Sequence, residues 1–192
     1  DKNDYTKLAD GQNSNISKAS SNFVMVEIPR IYYKISSDEN YNYIQITNKE
    51  KEGFSAYAFD CFQVQNEYLY VSAYFGNFEE ASSQSYKNYS GKEIRLKENL
   101  TWNRASSYLI SYAGYCFSLP FHVLTLLGCL FAVMFKSTNV RKSLGVGVTE
   151  KKNKYYAGEL DKKGMYYGTN PSGRIKLFGI EDLYGLTRTA SG

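Results

Sequence analysis

Residues 113–135 read AGYCFSLPFHVLTLLGCLFAVMF, with no Lys, Arg, Asp or Glu, and how this run is read decides the fold. Its length alone would allow a membrane span. Ser118 and Pro120, however, are residues that open helices, Ser as a cap and Pro in the first turn. A helix starting there has about 17 residues left, the short limit for spanning. His122, Thr125, Gly128 and Cys129 dilute it further. A helix apolar on every side also suits the buried centre of a domain. The run is therefore read as a core helix, without a membrane span. His122, the only histidine, is read as a satisfied core residue rather than a ligand or base.

Upstream, Thr101 is placed to cap a second helix, with Trp102, Ala105, Tyr108, Leu109 and Tyr112 at helical spacing and Gly114 to end it. The preceding chain is strand-like. FVMVEIPRIYYKI at 23–35 is β-branched and aromatic, with Pro29 implying an edge or a break. YNYIQIT at 41–47 alternates, a turn follows around residues 49–53, and 68–75 is the clearest strand. There, Tyr68, Tyr70, Ser72 and Tyr74 are predicted on one face and Leu69, Val71, Ala73 and Phe75 on the other. Residues 81–93 read as a polar loop. Downstream, KYYAG (154–158) and GMYYG (164–168) flank 159–163 as a predicted Tyr-rich hairpin, and GRIKLFG (173–179) as another strand. The polar residues 1–22 read as a linker or arm, and 23–192 as a single α+β domain.

The chain has 192 residues and is 43% hydrophobic, enough to bury a core. Its 19 tyrosines are read chiefly as filling half-buried strand positions, with an interface or a sugar-binding surface as the alternative. Residues 1–100 hold 11 Lys and Arg against 14 Asp and Glu, and residues 101–192 hold 12 against 5. The basic excess, Arg174 and Lys176 included, flanks apparent turns, where charge is solvated. With no nucleic-acid module beside it, it does not point to nucleic acid. Cys61, Cys116 and Cys129 make neither a CxxC pair nor a disulfide framework, which suggests folding in a reducing cytoplasm. One histidine and three scattered cysteines argue against a metal site, and no GxSxG elbow occurs. Gly145–Gly147 lacks the third glycine of a dinucleotide loop. No catalytic residue, metal or cofactor is expected.

VMVEIPRIYYKI (24–35), GFSAYAF (53–59), EYLYVSAYFGNF (67–78), KSTNVRKSLGVG (136–147) and FGIEDLYG (178–185) occur in an order that resembles phage tail and minor structural proteins. The last segment is similar to one shared with the formylglycine-generating-enzyme branch of the C-type-lectin-like fold. The resemblance implies a C-type-lectin-like domain with two helices on a small twisted antiparallel sheet. It also implies a further C-terminal stretch where this chain has LTRTASG, so the C-terminal part reads as truncated. The enzymatic branch needs a redox cysteine pair in that stretch, and only Cys61 lies outside the apolar helical region, so no enzyme is expected.

The expected function is adhesion to a host-surface glycan or protein, from a phage tail assembled in the host cytoplasm or from a bacterial surface. The alternative is a purely structural virion protein. Other tail subunits and further copies of the chain are the expected partners. Tyr155, Tyr156, Tyr166, Tyr167 and Asn170 are the candidate ligand contacts, by ring stacking and hydrogen bonding, unless these tyrosines merely pair across a hairpin.

Overall fold

The structure, a computed structural model, describes residues 1–16, 24–60, 65–74, 77–82, 85–89, 119–148, 156–169 and 173–184. Pro29 divides the first hydrophobic run. β1 (Met25–Pro29) ends on it and β2 (Tyr32–Ser37) starts beyond it. Proline has no N–H to continue a ladder. Arg30 pins the bend: its N–H donates to Glu67 O at 2.7 Å, and its guanidinium makes two 2.8 Å bonds to Asp60. The two strands then take different partners. β1 pairs antiparallel with β4 (Tyr68–Ser72), and β2 with β3 (Asn42–Thr47). Short α1 (Tyr57–Asp60) follows β3.

Two expectations are corrected here. The strand predicted over 68–75 stops at Ser72, and Tyr74 does not share the outward face of Tyr68 and Tyr70. Ser72 Oγ donates to Tyr74 O at 2.7 Å, the chain turns, and alternation ends with the ladder, leaving Tyr74 buried. Phe75 lies outside the described residues. The polar loop read over 81–93 instead contains much of a hairpin, β5 (Asn77–Ser82) with β6 (Ser85–Tyr89). Backbone pairing made up for side chains of low strand propensity.

α2 (Phe121–Phe135) starts after Pro120 and ends at Lys136, whose φ is 50°. Ser118, its expected cap, and the helix expected over 101–114 lie outside the described residues. α2 buries Val123, Leu126, Leu127 and Phe131 in a core with Ile28, Phe59, Val71, Leu177, Phe178 and Ile180, and buries Cys129 as well. Each large side chain so buried stabilises the fold by about 1.5–3 kcal/mol. The helix is not buried all round: Phe121, Val133 and Met134 are exposed. Among the described residues no helix is long and apolar enough to cross a membrane. Cys129 is a free, buried thiol whose pKa burial pushes up.

After α3 (Val140–Leu144) the chain returns through a close backbone crossing. A Cβ on Gly145 would lie 2.0 Å from Thr169 O, and one on Gly168 would lie 2.1 Å from Leu144 O. Only glycine fits both strands of that crossing. Gly168→Ala is therefore expected to cost about 1–3 kcal/mol in thermal denaturation. Gly128→Ala, at a helical site with nothing within 4 Å, should instead stabilise by up to about 1 kcal/mol. The last elements are the two-residue strands β7 (Lys176–Leu177) and β8 (Ile180–Glu181), paired antiparallel. Few helices and small antiparallel sheets make this a mixed α+β fold.

Candidate functional site

Of the predicted Tyr-rich hairpin, residues 154 and 155 lie outside the described residues, and 156–168 are not paired with one another as expected. Residues 157–163 are consecutive turns, with Gly158 and Gly164 at φ 86° and 69°. Tyr167 pairs with Lys176 through N–H···O bonds of 2.9 and 2.8 Å. Gly158 N and Leu160 N donate to the Glu181 carboxylate at 3.0 and 2.9 Å, so a side chain satisfies these turn N–H groups.

Of the five expected contacts, Tyr155 and Asn170 lie outside the described residues. Tyr156 is exposed, and its carbonyl accepts from Arg174 at 2.6 Å. Tyr166 is 38% exposed but anchored: its ring stands edge-on to Phe135 and Phe178, and its hydroxyl reaches Met134 Sδ at 3.6 Å. Tyr167 has Lys163 Nζ 5.0 Å over its ring. The three therefore have different surroundings, and only part of the Tyr166 ring is open to solvent.

Beneath them lies a buried ionic cluster that sequence reasoning missed. Arg174 is bound by Glu159 at 2.6 Å, by Glu181 at 3.0 Å and by Asp182 through two of its nitrogens. The side chains of Glu181 and Asp182 are 0% and 1% exposed. Burial pushes the Glu181 carboxyl up to about 7, against the opposing effects of Arg174 and the two backbone donors. Asp182 is also raised by burial, although Arg174 pulls the other way. Lys176, wholly buried, donates to Leu160 O at 3.1 Å and sits 3.9 Å over the Tyr5 ring; burial lowers its pKa. Tyr74 donates to Asp161, and burial followed by that bond raises its pKa.

Arg174 and Lys176 are thus not the solvated surface cations that the charge count suggested. Two signals were available. Arg-Ile-Lys-Leu at 174–177 places its cations within apolar alternation, and Glu181-Asp182 lies in the apolar segment FGIEDLYG. Within residues 1–22, read as a linker or arm, Tyr5 packs against this cluster, its N–H donating to Asp161 O at 3.3 Å. Tyr5 packs edge-on to Tyr74, donates to Gly179 O at 3.1 Å, and has its own pKa pushed up to about 12 by burial and the charges of Asp161 and Glu181.

Chemically, the cluster offers a charged group to solvent only at its Glu159 edge, which is 47% exposed. It fixes the backbone that carries Tyr156 and Tyr167. Among the described residues no group of His, Cys, Asp or Glu is placed to hold a metal ion. Cys61 and Cys116 lie outside the described residues. His122 is half-buried with its ring edge-on to Tyr57, 4.3 Å between centroids, and Phe121 beside it.

The fold and surface define a mixed α+β fold with an apolar core, a buried ionic cluster and exposed tyrosines. No family model matches the chain, and searches of curated proteins and of solved structures return no match.

Proposed function

We propose that this chain is a non-enzymatic binding module of C-type-lectin-like architecture, displayed on a phage tail or a bacterial surface and adhering to a host-surface glycan or protein. The observation that carries the reading is aromatic exposure: Tyr41, Tyr43, Tyr57, Tyr68, Tyr70, Tyr156 and Tyr166 are each more than a third exposed. Seven exposed copies of one amphipathic side chain are the kind of surface such a module would use. Tyrosine supplies a large rigid face at low conformational cost, with a hydroxyl for hydrogen bonding. Several hydroxyls already have acceptors. Tyr70 donates to Glu27 at 2.8 Å, and Tyr43 donates to Asp38, which fixes the rings before any ligand arrives. The ordered run of segments from VMVEIPRIYYKI to FGIEDLYG supports the tail assignment and the lectin-like architecture.

The test is titration of fluorescently labelled protein against bacterial cells, after its mass in solution has been measured. Saturable binding, competed by unlabelled protein, is expected. A folded oligomer with no saturable binding to any host in a broad panel would overturn adhesion in favour of a purely structural virion role.

A further inference from the structure

We infer that Tyr57, Phe121 and His122 form a stacking cradle for a sugar ring of a neutral glycan; this rests on the adhesion reading and assigns it a site away from the C-terminal tyrosines. The residues come from the first positions of α1 and α2. The Tyr57 ring centroid is 4.3 Å from that of His122 with 78° between planes, and the Phe121 centroid is 6.5 Å away with 77°. Two rings therefore stand nearly upright to one imidazole. Tyr57 is 50% exposed and Phe121 62%, while His122 is half-buried. A phenylalanine at the first position of a helix gains nothing from such exposure. Two exposed rings from two elements, each edge-on to one half-buried imidazole, set aromatic surface side by side.

The chemistry on offer selects the occupant. The fifteen residues of α2 include no Lys, Arg, Asp or Glu, so an ionic ligand finds no counter-charge on that helix. What remains is aromatic surface with imidazole nitrogens beside it. A pyranose has the complementary pattern. Its C–H face lies on an aromatic ring, attracted by the ring's negative face, and its rim hydroxyls meet the nitrogens. A purely aliphatic ligand would cover those nitrogens and leave them without a partner.

The experiment is ligand-observed NMR and calorimetric titration with neutral glucan, galactan and N-acetylglucosamine oligosaccharides, beside the whole-cell titration above. At least one sugar is expected to bind saturably. Tyr57→Ala and Phe121→Ala should each weaken it by about tenfold or more, while Tyr57→Phe and Phe121→Tyr, which keep the ring, should retain it. Both positions are half exposed or more, and unchanged thermal melts of the Ala variants will show that the fold is intact. Sugar binding that survives both Ala variants and is lost in Tyr156→Ala overturns the cradle and leaves adhesion standing. Cell binding without binding of any neutral sugar, or binding of a proline-rich peptide in their place, overturns the glycan assignment alone. Absence of both cell and sugar binding overturns the cradle together with the adhesion reading.

Discussion

Replacing Arg174 with Ala is expected to destabilise the protein by about 3–5 kcal/mol, measured by urea denaturation at pH 8. Arg174 holds Glu181 and Asp182, whose side chains are 0% and 1% exposed, and it also binds Glu159 and the Tyr156 carbonyl. Removing it leaves two carboxylates without their counter-charge in a place water does not reach, which costs far more than the ion pairs contribute as such. Arg174→Lys should recover only part of the loss, because an ammonium cannot bridge three carboxylates and a carbonyl from one planar fork.

The penalty should depend on pH. The Glu181 carboxyl is raised from 4.5 to about 7 by burial, so the folded state takes up a proton more readily than the unfolded chain. The stability this contributes is fully present below about pH 4.5 and is lost as pH rises through about 7. Wild-type stability should therefore fall between pH 5 and pH 8 from this group. Without Arg174 the carboxylates should shift further up, making the variant's deficit smaller at pH 5 than at pH 8. A deficit under 1 kcal/mol, equal at both pH values, would show that the cluster is not energetically buried.

Phe131→Ala is the second large effect, expected at about 3–5 kcal/mol in the same assay. Phe131 is 1% exposed, lies on the buried side of α2, and stacks on Phe135 at 4.6 Å with 18° between planes. Truncation removes a large buried surface and opens a cavity among side chains drawn from both ends of the chain, Ile28 and Phe59 on one side and Leu177 and Phe178 on the other. Those elements are held by distant parts of the backbone and cannot all collapse inward, so most of the cavity cost remains. Val133→Ala, on the exposed side of the same helix, should cost much less. Equal losses at the two positions would contradict the assigned orientation of α2.

Much of the local structure was legible because it depends on near neighbours. Pro29 breaks the first strand wherever the rest of the chain lies, since it has no N–H to give. The alternation of Tyr68, Leu69, Tyr70 and Val71 marks a strand with one apolar side, and β4 follows it as far as Ser72. The uncharged run ending at Phe135 marks a helix with a buried side. The chain's excess of tyrosine fits strand positions or an aromatic surface, and rings from Tyr41 to Tyr166 are exposed.

Sequence could not say where paired charges go. Arg174 and Lys176 read as two more members of a basic surface, because the partners that permit their burial, Glu159, Glu181, Asp161 and the ring of Tyr5, are contributed by other turns and by the far end of the chain. Tyr167 faces Lys176, and the Glu181 carboxylate takes the N–H groups of Gly158 and Leu160, contacts that no local pattern encodes. Tyr57 meets His122 across sixty-five positions of sequence, and no local pattern encodes that contact. The sequence alone determined the strands on either side of Pro29, those at 42–47 and 68–72, and the helix ending at Phe135, because propensity and periodicity act between residues a few positions apart. Which charges are buried, which tyrosines are anchored and which rings meet was decided by tertiary structure alone, because desolvation and pairing depend on neighbours distant in the chain.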